Sequence, residues 1–133
     1  MMDSRIAIRS SYSLLWGTNT PTKIVSFLAK EGVSTIGITD INNLYGLHNF
    51  IEAAQENNVN YLIASQLNYN NFTVFAFVAN LDGYKNLCSL LTSIKQIESF
   101  NVIDRLIKSS KGLYLVVKEK ELLPLLHKKV EHL

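Results

Sequence analysis

The sequence has few of the residues that build metal centres. Cys88 is the single cysteine, which excludes a disulfide framework and a cysteine-based zinc site. Its place on a helical apolar stripe predicts a core position. The three histidines are His48, His127 and His132; we interpret the first as a solvent-facing helix residue and place the others in the C-terminal tail. The glycines at 37, 46 and 83 are isolated, so the sequence has no glycine-rich phosphate loop.

Long apolar runs and concentrated charge are also missing. No run of about 20 apolar residues exists, and the first residues lack the apolar stretch of a signal peptide. We therefore expect a cytoplasmic protein without a membrane partner. The formal net charge is only +2 and the basic residues are spread along the chain, unlike the clustered basic face of a nucleic-acid-binding domain. With 133 residues, 47% of them apolar, the chain can fold as one domain over 1–133 around a hydrophobic core.

Short apolar runs rich in β-branched residues alternate with helical patterns. This alternation predicts an α/β fold, with mostly parallel strands alternating with helices. Thr20 and Pro21 indicate one helix start, and Gly32 its end. Asn42 or Asn43 is expected to cap a second helix. Two further helices are expected to start at Asp82 and Asn101, and a helical tail is expected over 118–133. The predicted strands cover residues 5–8, 33–38, 61–65, 72–79 and 113–117.

Polar residues follow three of these predicted strands, where sites of parallel sheets form. Arg9 and Ser10 follow the first strand. Asp40, Asn42 and Asn43 follow the second, and Ser65 and Gln66 lie at the end of the third. This set has one carboxylate, too few for a hydrolytic metal site. Arg9 would repel a divalent ion and can instead pair with Asp40. Ser10 has no histidine nearby in sequence to act as its base. Tyr12 and Trp16 can either stack on a nucleic-acid base or cover the mouth of a barrel; we favour the second.

Three segments, in order, resemble one known family. "IAIRSSYSLLWG" is similar to H-x-H-S-x-Y-S-L-L-D-G. "GITDINNLYGL" and the residues up to Asn68 are similar to T-D-H-x-N-L-x-G followed by F-x-x-A-x-x-x-G-I-x-P-I-x-G-x-E. "FAFVANLDGYKNLCSLL" is similar to L-L-A-x-N-x-x-G-Y-x-N-L-x-x-L. Together they resemble the N-terminal PHP (polymerase and histidinol phosphatase) domain of the alpha subunit of bacterial DNA polymerase III.

The resemblance implies a PHP-type (β/α) barrel whose strand-end ligands bind zinc, manganese or magnesium and hydrolyse phosphoesters. In this sequence, nearly every position of the family's ligands carries a different residue. Only Asp40 matches, and the vestigial site implied by the resemblance comprises Ala7, Arg9, Asp40, Ile41, Gln66 and Thr73. We therefore expect no metal cofactor and no catalytic residue, and a structural role for Asp40, bound either to the Asn42–Leu44 backbone or to Arg9.

A complete barrel of this kind needs roughly 200 residues or more, so the resemblance implies a partial or truncated barrel. The expected function is a catalytically inactive scaffold or interaction domain of a replicative DNA polymerase III alpha subunit, whose parent polypeptide would be a nucleotidyltransferase. The expected partners are other polymerase III domains or subunits, with DNA reached through the parent protein. Exposed strand edges would favour self-association. The alternatives are a short, separate PHP-like protein that binds a partner and, less favoured, a phosphoesterase with a reduced site.

Overall fold

The structure, a computed structural model, describes residues 4–10, 19–69, 72–96, 106, 108 and 110–117. Within these residues, five strands form one sheet in the order β1-β2-β3-β4-β5, together with three helices. The α/β class predicted from the sequence is confirmed, while closure of the sheet into a barrel stays a prediction. The elements are β1 (Ser4–Ile8), α1 (Pro21–Lys30), β2 (Thr35–Ile41), α2 (Leu47–Glu56), β3 (Asn60–Tyr69), β4 (Phe72–Val78), α3 (Leu81–Gln96) and β5 (Leu113–Val117).

The chain divides into two compact units, residues 1–65 and 66–133, with the boundary inside β3. In the first unit β1 pairs with β2 in parallel, with Ile8 opposite Ile38. The apolar side chains of β2 pack with those of α1 and α2, because both helices present one apolar face. This core comprises Ile24, Val25, Val33, Ile36, Ile38, Phe50 and Ala53.

The two helices of the first unit begin differently. Thr20 caps α1 by accepting a hydrogen bond from the Lys23 N–H (3.3 Å), and Pro21 occupies the first turn, as predicted. The prediction that Asn42 or Asn43 caps α2 is wrong, because α2 begins only at Leu47 and has no side-chain cap. β2 continues to Ile41, so the chain first needs a turn, and Asn42 supplies its positive φ of 53°.

The second unit departs from the expected parallel arrangement. Only residues 70–71 separate β3 from β4, which is too short for a crossover helix, so these neighbouring strands form an antiparallel hairpin. β4 and β5 are also antiparallel, with Ala76 opposite Leu115. Along β5, Leu113 and Leu115 are buried whereas Tyr114 and Val116 are exposed, the alternation of a strand with one covered face. The prediction of mostly parallel strands is therefore wrong for this unit.

The first turn of α3 lies against the turn that precedes β5. The Gly112 carbonyl accepts a hydrogen bond from the Ala79 N–H (2.8 Å), and a Cβ on Gly83 would overlap that same carbonyl. Asn80 caps the helix by accepting a hydrogen bond from the Gly83 N–H (3.0 Å), so Asp82, the predicted cap, is instead the second residue of α3. These backbone contacts fix where β5 begins.

Several predictions fall outside the described residues. They concern Tyr12, Trp16, the helix start at Asn101, and the tail 118–133 with its two histidines. Cys88, predicted to be a core residue, is half-buried on α3. No helix in the part of the chain that the structure describes is long and apolar enough to cross a membrane.

Candidate functional site

Asp40 is a buried carboxylate near the carboxyl end of β2, with 4% of its surface exposed. Its Oδ1 accepts a hydrogen bond from the backbone N–H of Ser10 at 2.6 Å. Its Oδ2 accepts one from the Ser10 hydroxyl at 2.5 Å. Both donors come from one fully buried residue, so the two carboxylate oxygens are bound by a matched pair of charge-assisted hydrogen bonds.

The pairing of β1 with β2 brings these residues together. Ile8 lies opposite Ile38. Ser10 and Asp40 follow these two isoleucines, each two residues later in the sequence. Because side chains alternate along an extended chain, Ser10 and Asp40 fall on the same side as that isoleucine pair. The core isoleucines of the two strands therefore determine where the hydroxyl and the carboxylate meet.

Ser65, on β3, extends the arrangement to a third strand. Its buried hydroxyl lies 2.7 Å from the main-chain oxygen of Asp40 and 3.2 Å from that of Asn43. Asn43 in turn shapes the turn after β2: its amide donates to the Ile41 carbonyl (2.9 Å) and its side-chain oxygen accepts from the Tyr45 N–H (3.1 Å). These three residues form the Ser10–Asp40–Ser65 cluster, which links the segment after β1 and the carboxyl end of β2 to the middle of β3.

The space beside this cluster is small and mostly apolar. A cavity of about 10 Å³ lies between β2, β3 and the start of α2, and Asp40 and Asn43 are the only polar side chains among its lining residues. This volume suits at most one water molecule. A phosphoester substrate would not fit there.

The remaining predicted site residues divide between the two units. In the first, Ala7 is exposed while Arg9 and Ile41 are half-buried. In the second, Gln66 is buried and donates to the Asn68 side-chain oxygen at 2.9 Å, and Thr73 is half-buried on β4. Pairing of Arg9 with Asp40 stays a prediction. The sequence reasoning named Ser10 and Ser65 as strand-end residues but missed that they are donors to β2, which depends on strand pairing.

The residues at this strand end do not fit the divalent ions that the resemblance implies. Both oxygens of Asp40 already accept hydrogen bonds from Ser10. Ala7 and Ile41 have no donor atom for a metal, and Arg9 adds a positive charge. Among the described residues, no group of three or more His, Cys, Asp or Glu side chains could hold a metal ion.

Two solved structures have folds similar to that of this chain. The chain superposes with a TM-score of 0.57 on a protein from Bifidobacterium adolescentis assigned as a metal-dependent phosphoesterase, at 16% identity, covering 97% of this chain and 45% of that one. An amidohydrolase from Chromobacterium violaceum also gives a TM-score of 0.57, at 20% identity, over 71% of this chain and 33% of that one. Both likenesses concern the fold alone, which is that of an α/β domain.

The family follows from the sequence comparison. The chain belongs to the PHP domain family, whose profile matches residues 6–125. The DNA polymerase III alpha subunit of Ureaplasma parvum is 28% identical over 97 residues, which is 73% of this chain and 10% of that protein. The corresponding subunit of Buchnera aphidicola from Schizaphis graminum is 34% identical over 92 residues, 64% of this chain and 8% of that protein. The chain thus spans about a tenth of the length of these relatives.

Proposed function

We propose that this chain is a metal-free PHP domain that acts as a scaffold and interaction domain of a DNA polymerase III alpha subunit, without phosphoesterase activity of its own. The polymerase III relatives support the assignment to replication. The observation that carries the metal-free part is the engagement of both Asp40 oxygens by Ser10.

The replacements at the ligand positions are consistent with one another in electrostatic terms. A cluster of carboxylates is stable next to divalent cations, but the same carboxylates repel one another once the cations are gone. Here Asp40 is the single carboxylate at these positions, and its two oxygens accept hydrogen bonds from the neutral N–H and O–H groups of Ser10. A buried carboxylate without such donors would cost several kcal/mol. Ser10 therefore meets the hydrogen-bonding requirement of the Asp40 carboxylate without a bound cation.

The first test is calorimetric titration of the chelator-treated chain with Mn²⁺ and Zn²⁺, combined with release of phosphate from p-nitrophenyl phosphate. We expect no binding at tens of micromolar metal and no phosphate release above background. The matched positive control is a variant that restores the family's imidazoles, Ala7→His with Arg9→His and Ile41→His, which should gain metal affinity. Stoichiometric metal binding by the unchanged chain, with phosphate release that is lost in Asp40→Asn, would contradict the proposal.

The scaffold role needs a separate measurement. The purified chain is mixed with a polymerase III alpha subunit from the same cell that lacks its own PHP region, and the mixture is separated by size. We expect the two to migrate together at micromolar concentrations. If the two proteins migrate separately although circular dichroism shows that both are folded, the scaffold role is refuted. The metal-free assignment is not affected by that result.

A further inference from the structure

We draw no further inference here: the strongest candidate, the partly exposed sheet face on which Phe75 and Phe77 of β4 lie opposite Val116 and Tyr114 of β5, is an apolar surface for which nothing in the structure shows what covers it.

Discussion

Replacing Ser10 with alanine tests the central structural claim about Asp40. The change removes the hydroxyl that donates to Oδ2 and leaves the backbone N–H that donates to Oδ1. Ser10 is fully buried and Asp40 nearly so, and water therefore cannot take the place of the lost donor without rearrangement. The charge of Asp40 then depends on fewer donors.

The expected cost follows from the type of bond. A hydrogen bond to a charged group contributes about 1.5–3 kcal/mol, and we expect the free energy of unfolding to fall by about 2 kcal/mol in Ser10→Ala. For a domain of this size that loss lowers Tm by about 8 °C. In an Asp40→Asn background the acceptor is neutral, and Ser10→Ala should then cost only about 1 kcal/mol.

The assay is urea unfolding followed by circular dichroism, with the four chains of the Ser10 and Asp40 double-mutant cycle measured side by side. Ser89→Ala on the exposed face of α3 is the matched control and should change stability by less than about 0.5 kcal/mol. If Ser10→Ala is as stable as this control, or if its effect is the same with Asp40 and with Asn at position 40, the Ser10 hydroxyl does not stabilise the carboxylate and the reasoning fails.

Three further substitutions probe the same fold. Ser65→Ala removes a hydroxyl that contacts two neutral main-chain oxygens. In the same urea assay, the free energy of unfolding should fall by about 1 kcal/mol, less than in Ser10→Ala. A larger fall than in Ser10→Ala would mean that Ser65, rather than Ser10, contributes most of the stability of the cluster. Gly83→Ala should lower the free energy of unfolding by about 3 kcal/mol or more, because the added Cβ would overlap the Gly112 carbonyl. Gly32→Ala should lower it by about 1–2 kcal/mol, because the added Cβ meets nothing within 4 Å and only the φ of +84° is unfavourable for alanine. Equal thermal shifts for the two glycine variants would contradict the close approach of α3 to the turn before β5.

Local signals in the sequence were sufficient for some elements. Thr20, Pro21 and Gly32 each act within a few residues, and they place α1 correctly. The start of α2 could not be predicted in the same way. Asn42 and Asn43 favour both helix caps and turns, and the choice depends on how far β2 stays paired, which is not a local property.

The partners of Asp40 depend on contacts between distant segments. The sequence identified the carboxylate and the serines at the strand ends, but their meeting requires the register of β1 on β2, which shifts between Arg5 and Ile8. Such a shift leaves no clear mark in hydrophobic periodicity. The direction of β5 was likewise not predictable, because the long connection between β4 and β5 allows a parallel or an antiparallel pair.

The contact between Gly83 and Gly112 also bears on how the chain folds. It joins segments that are distant in sequence and consists largely of main-chain atoms, with the Asn86 side chain adding a hydrogen bond to the Lys111 carbonyl (2.8 Å). A large loop must close before any of these bonds can form. The chain therefore loses conformational entropy before the new contacts stabilise the closed loop. The β3–β4 pair can form early because its residues are neighbours in sequence. We therefore expect β5 to dock after the start of α3 has formed, as a late step in the folding of its unit.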